Sequence, residues 1–182
     1  MNTNNLTRVP RGQSGAALMV VLILLLVMTL LGLASLRGTL MEERMSANLL
    51  DRSLAFQAAE AALREAEAAI LANGRAGFPA IGSGACNGNL CDQPTEAEIG
   101  DGFVPRSERD GAYWGDAAAD VGDVAIQPQF FIEYMGEAPS WPRCDSEIPQ
   151  HPSCLKPRYR VTARSTAADR AQVVLQSNLA GS

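Results

Sequence analysis

The sequence predicts an α+β chain: one long N-terminal helix, membrane-spanning and then amphipathic, packed on a C-terminal antiparallel sheet. Three observations carry that expectation. Residues 16–36 contain no charge and no proline, helix formers continue from there to residue 72, and the last third alternates apolar and polar residues in three short runs. The chain accordingly divides into a leader, 1–15, a long helix, 16–72, whose first part, 16–36, spans the membrane, and a globular domain, 73–182.

The apolar run AALMVVLILLLVMTLLGLASL has 21 residues, of which 13 are Leu, Ile or Val. At about 1.5 Å per residue a helix of that length reaches roughly 30 Å, the thickness of a bilayer's hydrocarbon core. Each Leu, Ile or Val adds about −0.3 to −0.6 kcal/mol to insertion. Thr29 and Ser35 are its only polar side chains, and a hydroxyl can bond the backbone of its own helix. Arg8 and Arg11 precede the run. Positive residues beside a first span favour the cytoplasmic side, which sends the C-terminus across. A secretory signal has an apolar core of about 7 to 15 residues before its cleavage site, shorter than this one. A retained anchor is therefore expected.

No proline occurs from Gly12 through Phe78, and residues 37–72 are rich in Leu, Ala, Glu, Arg and Met. Leu49, Phe56, Leu63 and Ile70 recur every seven residues, with Met45, Ala59 and Ala66 beside them and Glu60, Arg64 and Glu67 towards the other side. That pattern predicts one stripe buried against the globular domain. A homomeric coiled coil is the alternative, disfavoured by alanines at the second seam position. Asn73 and Gly74 mark the helix end.

The residues around this helix carry a resemblance. A short basic leader ending in Arg11, Gly12, Gln13, Ser14 and Gly15, followed at once by an apolar helix, resembles a type IV prepilin. The segment AALMVVLILLLVMTLLGLASLRGTLMEERMSAN is similar to the N-terminal region of the PilX minor pilins, relatives of the tip-most pseudopilin of type II secretion. The resemblance implies a type IV pilin fold and cleavage after Gly15 by prepilin peptidase on the cytoplasmic face, leaving Ala16 as a methylated N-terminus. Most such pilins have glutamate at the fifth mature position; here Val20 stands there. A lone carboxylate in hydrocarbon costs several kcal/mol unless paired, so a subunit with no neighbour above it does better without one. Val20 therefore points to an initiating or tip subunit.

Cys86, Cys91, Cys144 and Cys154 all follow the span, in two close pairs. A CxxxxC spacing is also half a zinc site, but zinc needs more ligands and His151 is the only histidine. An even count beyond a membrane helix favours disulfides in an oxidising compartment, the periplasm. Gly88 lets the shorter loop close. From Gly74 to Gln127 the composition is rich in Gly, Pro, Asn, Asp and Ser and reads as loop. Strands are predicted around Phe130, Ile132 and Tyr134, around Tyr159, Val161 and Ala163, and around Val173 and Leu175, the last two joined by a hairpin near 167–170. Between the first two runs a proline-rich excursion bounded by Cys144 and Cys154 resembles the disulfide-bounded loop with which pilins contact partners. Trp141 is its candidate anchor; a tryptophan buried over the sheet edge is the other reading.

Fifteen Lys and Arg against twenty Asp and Glu, net charge −5, give no basic field for nucleic acid. His151 has no triad-like setting, so no catalytic residue is assigned. Asp110, Asp116, Asp120 and Asp123 cluster in RDGAYWGDAAADVGD, and related tip pseudopilins bind calcium. The spacing does not match the twelve-residue calcium loop, and no metal ligand or cofactor is assigned. Two readings follow. One is a non-enzymatic minor pilin held in the inner membrane and then in the pilus, with other minor pilins, the major pilin, a tip adhesin and prepilin peptidase as partners. The other is a membrane-anchored periplasmic binding or enzymatic module that never polymerises.

Overall fold

Helix formers run unbroken from Ala16, and the helix does too: α1 is Ala16–Asn73. It ends where Gly74, at φ 54°, turns left-handed and its N–H bonds the Ile70 carbonyl at 2.8 Å; glycine adopts this conformation without a Cβ penalty. The structure, a computed structural model, describes residues 15–97, 99, 100, 102–119, 126–167 and 170–181, and only the backbone of 36–40. Residues 1–14 of the leader, Asp120 and Asp123 of the acidic run and 168–169 of the last hairpin lie outside the described residues. The chain forms two compact units, Met1–Ala47 and Asn48–Ser182, and α1 contributes to each.

In the first unit Ala16–Ser35 has a mean hydropathy of 3.0, long and apolar enough to cross a bilayer. Its Leu, Ile, Val and Met side chains are all exposed. The Thr29 hydroxyl donates to the Leu26 carbonyl at 2.8 Å, satisfied within the helix as a span requires.

The second unit holds six strands: β1 (Cys86–Asn87), β2 (Leu90–Asp92), β3 (Gly115–Asp116), β4 (Gln127–Pro139), β5 (Leu155–Thr166) and β6 (Val174–Ala180). Their order is β1-β2-β4-β5-β6, with β3 also on β4. The three predicted strands are β4, β5 and β6, an antiparallel meander with Ile132 opposite Val161 and Val161 opposite Ser177. The sheet is mixed rather than wholly antiparallel, because β2 runs parallel to β4 with Leu90 opposite Ile132. A parallel pair needs a long return connection, and residues 93–126 supply it.

The buried face of α1 differs from the predicted stripe. Ala55, Ala58, Ala59, Ala62 and Ala66 are fully buried and Ile70 nearly so, whereas Leu49 and Phe56 are 61% and 46% exposed. Leu63 is partly covered, and Met45, in the first unit, is 66% exposed. The reason is steric. The sheet presents Phe130, Ile132, Tyr134, Tyr159 and Val161 to Ala62, Ala66 and Ile70 in one cluster, and close packing over large rings leaves room only for small helix residues. Three carboxylates fasten the edges of this alanine row. Glu65 accepts from the Ala118 amide at 2.9 Å, Asp51 from the Ala171 amide at 2.6 Å and Glu67 from the Ser177 hydroxyl.

β4 and β5 are not half-buried, as alternation had suggested. Phe131, Glu133 and Thr162 on the second face are as deeply buried as their neighbours on the first. The 103–114 loop covers them, with Tyr113 and Trp114 packed edge-on to Phe131 at 5.2 and 4.7 Å between ring centroids.

Candidate functional site

The functional candidates are surfaces rather than a catalytic cleft. Gly15 is exposed directly before α1 and Ala16 is its first residue. Val20, 56% exposed, lies one turn further on among Leu, Met and Val side chains, and no Asp or Glu occurs from 16 to 35. Both cysteine pairs are disulfides, Cys86–Cys91 and Cys144–Cys154. The first joins facing residues of β1 and β2, where Gly88, at φ 59°, makes the two-residue turn. The second closes the excursion between β4 and β5.

Within that excursion Trp141 is half-buried but does not cap the sheet: its ring lies against His151 at 5.6 Å, and its indole N–H reaches Glu147 Oε1 at 3.5 Å. The His151 Nδ1 accepts from the Ser153 amide at 3.2 Å. The apolar residue this loop holds out is Ile148, 99% exposed. No sequence signal distinguished Ile148, because its exposure depends on how the disulfide folds the loop.

Several charges of the second unit are paired internally. Glu133 is buried and held from both sides, by Arg106 Nη1 at 2.8 Å and Arg160 Nε at 2.7 Å. Arg106 also donates to the carbonyls of Asp92, at 2.8 Å, and Gly84. A buried ion pair is tolerated when its remaining hydrogen-bonding groups are satisfied like this. Arg164 pairs with Asp110 at 2.7 Å and lies 4.0 Å from the Trp114 ring centre. Asp116 accepts from the Gln129 amide at 2.8 Å. Of the four aspartates that suggested calcium, Asp110 is thus engaged in fastening the covering loop and Asp116 in bonding β3 to β4. Among the described residues no three His, Cys, Asp or Glu side chains gather as a metal site.

Burial raises the Tyr159 and Tyr113 hydroxyl pKa values. The Ala171 amide, and then Arg170, hold the Asp51 carboxyl below the usual carboxylate range. A cleft of about 450 Å³ opens where α1 ends, between Ile70, Phe78, Leu90, Phe130 and Ile132.

Comparison with known families decides what these surfaces belong to. The PilX N-terminal profile matches residues 14–64, and the profile of type IV pilus assembly protein PilX, C-terminal part, matches residues 82–181. The chain belongs to the PilX family. Its apolar helix and mixed six-stranded sheet are the α+β, pilin-like arrangement of a type IV pilus assembly protein, whose surfaces meet other pilus components. No curated protein and no solved structure matches the chain.

Sequence reading located the apolar helix and the paired cysteines, but put Leu49 and Phe56 inside. It also missed the Arg106–Glu133–Arg160 clamp. One signal for the clamp was present: Phe131 and Glu133 on the supposedly exposed side of β4, with Tyr113 and Trp114 in a loop able to cover them.

Proposed function

We propose that this chain is a minor pilin that helps initiate type IV pilus assembly and sits at or near the filament tip, supporting twitching motility and adhesion. Prepilin peptidase cuts after Gly15, and Ala16 becomes the mature N-terminus. The inner membrane holds residues 16–36 while the second unit stands in the periplasm. On assembly the same helix moves among those of other minor pilins and the major pilin, with a tip adhesin beyond. The observation that carries this reading is Val20 within an uninterrupted apolar helix. Without a carboxylate there, the chain has no buried charge that demands a subunit above it, while the Ala16 amine stays available to one below.

The test is mass spectrometry of the N-terminal peptide from cells with active prepilin peptidase. The mature chain is expected to begin at Ala16; a chain still beginning at Met1 contradicts the reading. Val20→Glu is expected to disturb assembly or subunit order, and unchanged order removes the tip position.

A further inference from the structure

The second face of the sheet, where the 103–114 loop lies over Phe131 and Glu133, also holds a cavity of about 280 Å³. Ser107 and Glu108 of that loop border it, together with Glu133 of β4, Arg160 and Thr162 of β5 and Gln176 of β6. The register brings the strand residues together: Arg160 lies opposite Glu133, and Thr162 opposite Gln176. Residues directly opposite one another share a face of the sheet. A water molecule takes up about 30 Å³ of liquid, so the space admits a group several times larger than one bridging water.

The walls carry hydrogen-bond donors that the fold does not use. Thr162 is 1% exposed, and its hydroxyl has no hydrogen-bond partner among the described residues. Folding has stripped that hydroxyl of bulk water without supplying a substitute, which is costly and uncommon. Arg160 Nε donates to Glu133 at 2.7 Å, but no acceptor among the described residues meets its two Nη groups. The side chains of Gln176 and Ser107 are likewise without a hydrogen bond among the described residues. Two guanidiniums, those of Arg106 and Arg160, bond the single carboxylate of Glu133.

From this convergence of an orphaned buried hydroxyl and an unsaturated guanidinium on one polar cavity, we infer that the cavity binds a carboxylate group. The planar fork of Arg160 matches the two oxygens of a carboxylate, and the Thr162 hydroxyl supplies the donor that orients it. Gln176 and Ser107 complete the set of donors around it. Charge selects the class of anion. Glu133 and Glu108 border the same space, so a dianion such as phosphate meets stronger like-charge repulsion than a singly charged carboxylate does. The carboxylate comes either from an Asp or Glu side chain of another pilus subunit or from a free carboxylic acid. The site stands on this chain's own residues and does not depend on the assembly reading above.

The test is a titration of the purified full-length chain in detergent with sodium acetate, ionic strength held constant with sodium chloride, followed by NMR at the Thr162 methyl and the Arg160 guanidinium. Both signals are expected to shift and saturate together. Thr162→Val keeps the shape and removes the hydroxyl; it is expected to weaken acetate binding by about tenfold, while Thr162→Ser retains it. Arg160→Lys, which lacks the fork, is expected to weaken binding at least as much. Since the hydroxyl bonds nothing within the fold, the thermal midpoint of Thr162→Val without acetate is expected to stay level or rise. No saturating shift, an equal response to phosphate, or acetate binding that Thr162→Val leaves intact overturns the inference. A midpoint lowered by Thr162→Val with acetate binding unaltered assigns the cavity to structural water and overturns it too. If Thr162→Val fails to fold, the wild-type titration and Arg160→Lys still decide. A photo-crosslinking residue at position 178, opposite Arg160 on β6, separates the sources in piliated cells. Adducts confined to one segment bearing Asp or Glu assign the carboxylate to another subunit; intact acetate binding without a protein adduct assigns it to a free acid.

Discussion

Two stretches of the same helix treat apolar residues in opposite ways. Between residues 16 and 35 the side chains are mostly Leu, Ile, Val and Met, and each of these is exposed; between 55 and 70 the buried positions are five alanines and Ile70. In an ordinary amphipathic helix the largest apolar residues would face the core. Here the sheet supplies the bulk through Phe130, Tyr134 and Tyr159, and the helix supplies only a close-fitting wall. Apolar area left in water is worth roughly 25 cal/mol per Å² to whatever later covers it. The first stretch, with the exposed Leu49 and Phe56 further along the helix, thus holds in reserve free energy that the chain's own folding does not use.

The covered side is tested most severely by Arg106→Ala. It leaves Glu133 buried with Arg160 alone, and breaking a buried pair from one side typically costs about 3 to 5 kcal/mol. At about 2 to 4 °C per kcal/mol for a chain of this size, the thermal midpoint of the purified full-length protein is expected to fall by roughly 6 to 20 °C. Replacing Cys144 and Cys154 together by Ser releases an eleven-residue loop, which the chain-entropy model values at about 3 kcal/mol; calorimetry measures the loss. Ala62→Leu forces a larger side chain between α1 and Val161 and Ile132, and overpacking of this kind costs about 1 to 3 kcal/mol. An unchanged midpoint for Ala62→Leu would mean that the alanine row is not the packed wall described.

The smallest effect is a pH dependence at the rim of that row. The folded-state pKa of Asp51 is lowered, so its contribution is present above the unfolded value of about 3.9 and is lost as pH falls through the lower folded value. The midpoint difference between wild type and Asp51→Asn is expected to shrink as the buffer is taken from neutral to pH 3. A constant difference would detach it from the carboxylate.

What the sequence made legible follows the same division. The apolar run, the uninterrupted helix, its end at Asn73 and Gly74, three strands and both cysteine pairs depend on local patterns, and each was readable. The heptad Leu49, Phe56, Leu63 and Ile70 was equally readable as a pattern, but periodicity gives a face of the helix and not what lies opposite it. Only the aromatic residues of β4 and β5 decide that alanines take the interior. The clamp of Arg106 on Glu133 joins residues 27 apart through a loop without periodic signal. The cavity beside Thr162 exists only once β5, β6 and the covering loop are in place.

The account's central claim is that exposed apolar residues of α1 serve assembly and buried ones serve folding, and Leu49→Ser in the full-length chain tests it most directly. The thermal midpoint is expected to stay close to wild type, since exposed substitutions usually remain within about 0.5 kcal/mol, while the variant fails to restore surface pili to a deletion strain. A midpoint lowered as far as that of Ala62→Leu, or full restoration of pili, would contradict the claim.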